Sequence, residues 1–381
     1  MDAKALLAER KQLFENAYDF KPNKRIPTAA NFFTWKYLDA GYNLNTALRD
    51  YQIIEQVNRD FYELYRYDAY SDTGGRNSVR VSEALGGHFH YVNEAGDAVE
   101  ADDRTLIEGD EFQEYMANPL AFQWSKQLQR YAKPGLTLQD INNAVMELLA
   151  YGQFMAKMEQ VFVEEYGALM TLPMSSLVMS PIETLFNGFR GIKATALDIR
   201  KQKSELIEIM DFMWATSCAP ALEVAKTLDD SHYVAPFATV LLAHSILSVS
   251  QFEELYWPYL KRIFDAAIET QRRVYIFSES TMLRFAEFFD YLPKGTLLLH
   301  PEQDDIFEVR RRLPNVALVG GMPTSLLYNG TPSQCVDYAK RLVDELGLGF
   351  VLSQDKMMSY IQDGKRENLL AVQEFAQGYS N

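Results

Sequence analysis

Cysteine is almost absent from the chain: 381 residues contain two, Cys218 and Cys335. Two thiols cannot build a disulfide framework, and they suit a reducing cytoplasm, which is the expected location. Positive charge is also scarce, with 37 Lys and Arg against 52 Asp and Glu and a formal charge of -15. Such a field repels phosphate backbones, so neither nucleic acid nor an anionic membrane is an expected partner. A spanning helix needs about 20 predominantly apolar residues. The longest uncharged stretch, Tyr233 to Phe252, is interrupted by Pro236, His244 and several serines and reads instead as a buried strand, a turn and a helix start. The opening MDAKALLAERKQLFENAYDF alternates charged and apolar residues at helical spacing and lacks the basic head and apolar core of a signal peptide. There is no GxGxxG, P-loop, GxSxG elbow or Cys/His protease pattern. Nor does any Gly/Ser linker or low-complexity segment divide the chain, so 1–381 is expected to form a single domain.

What is present is an ordinary globular composition, 48% hydrophobic and 23% charged, with a rhythm in the C-terminal third. Short apolar runs at Val274–Phe277, Thr296–Leu299, Val316–Val319 and Gly349–Leu352 alternate with helical stretches around Met282–Tyr291, Asp305–Arg312 and Ser333–Leu346. Continuous apolar runs separated by helices are the pattern of a parallel sheet buried on both faces. Further candidate strands at Thr28–Phe33, Asp68–Asp72, Leu172–Val178 and Thr239–Ala243 bring the count to eight. This predicts an α/β protein, a (β/α)8 TIM-type barrel with N-terminal and helical insertions. One insertion, about 86–102, reads as a hairpin turning at Glu94-Ala95-Gly96. The other, about 112–163, is strongly helical and suits a lid over the barrel mouth or added bulk.

In such a barrel the residues just past the strand C-termini converge on one face. Those positions are His244, Ser278-Glu279-Ser280, His300-Pro301-Glu302, Gly320-Gly321-Met322 and Ser353-Gln354-Asp355. Glu279 and His300 fall on consecutive strand ends, and both residue types ligate zinc, with His244 a third candidate. The plainer alternative makes His300 a hydrogen-bonded packing histidine and Glu279 an ion-paired or capping residue. His88 and His90 alternate on the hairpin without an evident role, and Arg310-Arg311-Arg312 fans around a helix as a solvated face. Aromatics are plentiful at 13%. Those near early strand ends, including Phe32, Trp35 and Tyr70, could line a pocket for a flat aromatic compound or belong to an aromatic core.

Several segments together resemble the uroporphyrinogen decarboxylase superfamily. They are Arg25-Ile26-Pro27, Tyr37-Leu38, Ser71-Asp72, Glu83-Ala84-Leu85-Gly86-Gly87, Val319-Gly320-Gly321 through Gly330-Thr331-Pro332, Gly349 to Ser353 and Glu367-Asn368-Leu369. The resemblance implies a barrel with its site at the strand C-termini and two possible chemistries. Its decarboxylases hold a polycarboxylate tetrapyrrole with an N-terminal Arg-Gln-Ala-Gly-Arg segment. Here the matching stretch is Phe32-Phe33-Thr34-Trp35-Lys36, which keeps one positive charge and loses a bidentate carboxylate partner. Its zinc methyltransferases exchange methyl groups with a corrinoid protein, and the His-x-Cys and Cys ligands of the thiol-specific members are missing at 277–279 and 320–322. Glu279 and His300 resemble the Glu/His motif of the ether-cleaving members found in anaerobic O-demethylase systems.

The resemblance therefore implies a zinc-dependent methyltransferase that demethylates a phenyl methyl ether onto the Co(I) corrinoid (cobalamin) of a separate protein. Glu279, His300 and Asp72 are its expected catalytic residues. Its expected metal ligands are Glu279, His300 and His244, with Asp265 a weaker third ligand. Phe32, Trp35, Lys36 and Tyr70 are its expected contacts to a small methoxylated aromatic substrate. The alternatives are a decarboxylase of a smaller substrate and a non-catalytic barrel that docks a corrinoid protein.

Overall fold

A computed structural model describes residues 2–74, 79–87 and 90–379. Eight parallel strands close into a barrel: β1 Ala29–Ala30, β2 Ala69–Tyr70, β3 Leu169–Met170, β4 Phe237–Leu241, β5 Val274–Ser278, β6 Leu297–Pro301, β7 Ala317–Met322 and β8 Phe350–Gln354. Ladders join β1 to β2 to β3 and β4 through β8. Single parallel bridges complete the circle, Thr28 to Leu352 between β1 and β8, and Met170 to Tyr233 and Leu177 to Ala238 between β3 and β4. The fold is the (β/α)8 barrel that the apolar rhythm predicts. The third strand lies earlier than Leu172–Val178, because Pro173 has no N–H to give a ladder and a short 3-10 turn follows at Met174–Ser176. The segment after β5 is likewise a 3-10 helix, Leu283–Phe289, rather than an α-helix.

Alternation along each strand sorts the side chains. Ala29, Ala69, Leu169, Val240, Tyr275, Phe277, Leu298, Ala317, Val319 and Val351 pack with one another inside the barrel. Their neighbours Ala30, Tyr70, Met170, Ile276, Leu299, Leu318 and Leu352 face the surrounding helices. The first helix, α1 (Ala3–Tyr18), sends Phe14, Ala17 and Tyr18 into the inner cluster. Tyr18 donates to the carbonyl of Val274 at the start of β5 (3.1 Å), so α1 plugs the N-terminal end.

The hairpin pairs Tyr91–Val92 with Val99–Glu100, and His88 lies outside the described residues. The long helix Leu138–Gln160 packs beside the end of β2. There, a Cβ on Gly74 would stand 2.6 Å from Met155 Sδ. Arg310 departs from the solvated reading: it is half-buried and donates to the carbonyls of Val316 and Gly349, while Arg311 and Arg312 pair with Glu308 and Asp290 at the surface. Both cysteines are buried, free thiols. Among the described residues, no helix is long and apolar enough to cross a membrane.

Strands of two residues cannot fix their own register, and a buried carboxylate does it for them. Asp68, 1% exposed, precedes β2. It accepts from Arg10 Nε of α1 (3.1 Å), both Arg25 Nη atoms (2.7 and 2.6 Å) and the Thr28 backbone N–H (2.9 Å). Arg10 also donates to the carbonyls of Tyr166 and Gly167 just before β3. Burial alone would raise the Asp68 pKa, but the Arg25 hydrogen bonds and the charges of Arg25 and Arg10 bring it below the ordinary value.

Asp68→Asn should therefore cost about 3–5 kcal/mol, because it removes the partner of buried guanidinium groups. Urea denaturation at pH 7 measures that loss. Since the folded pKa lies below the unfolded value of about 3.9, the Asp68 contribution is complete above that value and disappears as pH falls through the folded one. The stability gap between wild type and variant should be constant near neutrality and narrow in acid.

Candidate active site at the barrel mouth

Glu279 and Glu302 occupy neighbouring positions at the C-terminal face. The β5–β6 register pairs Phe277 with His300 and Ser278 with Pro301, and Glu302 N–H donates to Ser278 O at 3.0 Å. Counting by twos from the inner residues Phe277 and Leu298 brings Glu279, His300 and Glu302 onto the inward face. Burial raises the Glu302 carboxyl to about 7, assisted by the negative charges of Glu279 and Asp355. Asp355, just past β8, accepts from Thr324 N–H (3.1 Å) and is itself raised by burial. Beneath this rim Glu183 is completely buried and accepts from the backbone N–H groups of Leu242 and Ala243 and from Tyr256 Oη (2.6 Å). Burial raises it to about 7, with the Glu279 charge adding to the effect.

His300 is 1% exposed and its ring is committed on both sides. A carbonyl can only accept, so Nε2–H donates to Gln354 O at 2.8 Å, and Nδ1 accepts from Tyr275 Oη at 3.1 Å. Burial lowers its pKa to about 4, which keeps the ring neutral. The ring stands edge-on to Phe277, centroids 4.9 Å apart. Gly320 makes room for it: φ is +117°, and a Cβ there would lie 2.8 Å from the imidazole. Gly320 thus cradles the imidazole, whereas a Cβ on Gly321 would meet Ile306 and Leu342 at 3.0 Å in the outer layer.

The expected zinc set is not brought together. His244 lies in the 3-10 turn Ala243–Ile246, and its Nε2 meets Ser278 Oγ at 3.3 Å. Ser278 shares the outward side with Ile276 of the outer core, so His244 packs behind β5 against Phe285, with the strand between it and the barrel interior. Asp265 sits on an exposed helix face, paired with Lys261 (2.7 Å). The one lone pair of neutral His300 is already used by Tyr275, so the donors do not fit a metal as they stand. Among the described residues no three His, Cys, Asp or Glu side chains form a group able to hold a metal ion.

Strand alternation also corrects the expected substrate contacts. Phe32 (2% exposed), Trp35 (0%) and Tyr70 (1%) face outward into the aromatic core. There Phe32 meets Phe61 edge-on at 4.7 Å, Trp35 Nε1 donates to Gly364 O, and Tyr70 Oη accepts from Tyr67 N–H. Lys36 and Asp72 are equally buried and satisfy each other. Lys36 Nζ donates to Asp72 Oδ2 (2.8 Å), Asp72 O (3.2 Å) and Asn58 Oδ1 (2.8 Å), which uses all three ammonium protons. They tie the loop after β2 to the helices rather than reaching the mouth. The inward positions one residue away, Asn31 and Ser71, carry no site role in the sequence reading, and Glu302, though placed at a strand end there, is not paired with Glu279. A period of two places all three once the fold shows that Ala29, Ala69 and Leu298 face inward.

Comparison with known proteins places this geometry. A solved methyltransferase from Methanosarcina mazei matches over 99% of this chain and 98% of its own, with a TM-score of 0.62 and 13% sequence identity, a likeness of fold. No curated protein matches the sequence. Residues 131–355, more than half of the chain, match the family model described as uroporphyrinogen decarboxylase (URO-D). With that match, a closed parallel barrel and inward carboxyls at its C-terminal mouth, the chain belongs to the uroporphyrinogen decarboxylase (URO-D) family.

Proposed function

We propose that the chain is a methyltransferase that takes the methyl group of a small aryl methyl ether and delivers it to a corrinoid carried by a separate protein. The observation that carries this reading is the Glu279/Glu302 pair, whose Glu302 member holds a proton near neutral pH. The likeness in fold to a methyltransferase supports it. The corrinoid would supply the Co(I) nucleophile that accepts the methyl group. The protein's own task is at the oxygen. As the methyl–oxygen bond breaks, its electron pair goes to oxygen, and the phenolate that forms needs a proton. A phenol has a pKa of about 10, so transfer from a carboxyl near 7 runs downhill as oxygen gains charge, a gain of typically 10²- to 10⁴-fold. Burial does most to keep the proton on Glu302, and the charge of Glu279 adds to it. The zinc implied by the resemblance plays no part in this step, because His300 would first have to give up Tyr275. A polycarboxylate decarboxylase is disfavoured by the charge of the same rim. Among the described residues the rim carries Glu279, Glu302 and Asp355, while Lys356 is paired with Asp363 (2.7 Å) and Arg284 is bound to the carbonyls of His244 and Ser245.

Glu302→Gln should slow methyl transfer from anisole-type donors to Co(I) cobalamin by roughly 10²-fold or more, and far less when the leaving phenol is a nitrophenol that needs no proton. An equal loss with both donors would overturn the proton-donor role.

The pH dependence has a fixed sign. The protonated form is the active one, so the rate should be level below about 7 and fall above it. Glu279→Gln removes the neighbouring charge and should move that break to lower pH. Activity should survive a strong chelator. Stoichiometric zinc in the purified protein, lost in both Glu279→Ala and His300→Ala, would replace the carboxyl acid by a metal.

A further inference from the structure

On the side of the barrel away from Glu279 and Glu302, four adjacent strands change character at the same level. The inner residues Ala29, Ala69, Leu169 and Val351 are apolar, and two residues further along come Asn31, Ser71, Thr171 and Ser353. Strands β8, β1, β2 and β3 adjoin in that order, so these side chains form one uncharged arc. Three are more than nine-tenths buried, with Asn31 at 6%, Thr171 at 3% and Ser353 at 2% exposure. Asn31 Nδ2, Thr171 Oγ1 and Ser353 Oγ nevertheless have no hydrogen-bond partner among the described residues. Buried polar atoms are normally satisfied, and each exception needs a reason. The rest of Asn31 is fixed: its backbone N–H donates to Gln354 Oε1 (3.0 Å), its carbonyl accepts from Met358 N–H (2.9 Å), and its Oδ1 lies 3.5 Å from Ser71 Oγ. The amide NH2 is the part left over. Across the lumen, Val240 and Phe277 keep the wall apolar.

We propose that this arc is a substrate subsite which binds an uncharged oxygen substituent, a hydroxyl or second alkoxyl group, on a ring whose apolar face rests towards Phe277. The proposal rests on the methyl-ether reading above and narrows its substrate to neutral, polyoxygenated donors. Asn31 supplies a donor, and the two hydroxyls donate or accept as the ligand requires. A carboxylate substituent is refused: among the described residues it would meet no cation in the arc, and it would face the rim carboxyls of Glu279, Glu302 and Asp355.

Calorimetric titration of the full chain with anisole, 2-methoxyphenol and 2-methoxybenzoate tests the arc without any corrinoid protein. The expected order is 2-methoxyphenol roughly tenfold tighter than anisole, the gain of one hydrogen bond to a preformed partner, with 2-methoxybenzoate weakest. Thr171→Val and Ser353→Ala should each erode the preference for 2-methoxyphenol and leave anisole binding unchanged. Both remove an unpaired hydroxyl at nearly constant shape, so their melting temperatures should equal or exceed that of wild type, which separates lost binding from lost folding. Equal affinity for 2-methoxyphenol and anisole, a preference unaltered in both variants, tightest binding of the benzoate, or no binding of any of the three at millimolar concentration would each overturn the subsite. A chain that shows the preference yet transfers no methyl group would keep the arc and overturn the proposed function. One that transfers methyl groups but binds the three indifferently would do the reverse.

Discussion

The Asp68 carboxylate holds the first half of the barrel in register, and the chemistry of the mouth depends on that register. Strands β1, β2 and β3 contribute two paired residues each, too few for ladder hydrogen bonds to resist a slip. A slip of one residue reverses every side chain. It would turn Phe32 into the lumen and Asn31 out, and exchange Tyr70 for Ser71. Arg10 and Arg25, meeting at Asp68, bind α1, the approach to β1, the start of β2 and the carbonyls before β3 into one buried cluster. Such a cluster is a poor source of net stability compared with well-packed apolar residues, but its geometry admits one arrangement. Specificity of register is what short strands need.

With the register set, the barrel separates its charges. Lys36, Arg10, Arg25 and Arg310 are cations pinned in the outer layer or at the N-terminal end, each against carboxylates or carbonyls. The lumen and its rim receive Glu279, Glu302, a neutral His300 and uncharged hydroxyls and amide. Burial is the main reason Glu302 and Glu183 both rise to about 7, and the negative charge of Glu279 beside them adds to it. The proton held at the mouth therefore follows first from burial and then from the neighbouring carboxylates, with the buried cations already paired elsewhere.

The later barrel strands were legible because their apolar runs are continuous. Val274–Phe277, Leu297–Leu299, Ala317–Val319 and Phe350–Leu352 are buried on both faces, and each announces itself without any knowledge of its neighbours. Glu279 and His300 could be placed at the mouth because they end such runs. The early strands were a different case. With two residues each, their inward and outward sides cannot be told from sequence, and the conspicuous aromatics Phe32 and Tyr70 drew the reading to the outer side. His244 failed for a related reason. It follows a true strand, but the 3-10 turn at Ala243–Ile246 carries it behind β5. Lys36 and Asp72 offered charge without a partner in the sequence, and only the fold shows that they answer each other.

His300 shows how a residue of the right type at the right level can be turned to another purpose. Its position on β6 is inward and next to the acidic rim, where an imidazole with a free lone pair would be a base or a metal ligand. Tyr275, two residues before Phe277 on the neighbouring strand, occupies that lone pair, and the Gln354 carbonyl fixes the opposite nitrogen. Gly320 then lets the β7 backbone close over the ring, as any Cβ would strike it. The outcome is a neutral aromatic plate spanning β5 to β8 beneath the carboxyls. Burial is the largest contribution to the proton held on Glu302, and a neutral ring adds no positive charge to oppose it. The imidazole thus acts on the site through its neutrality, and the acid–base work passes to the glutamate two residues further on.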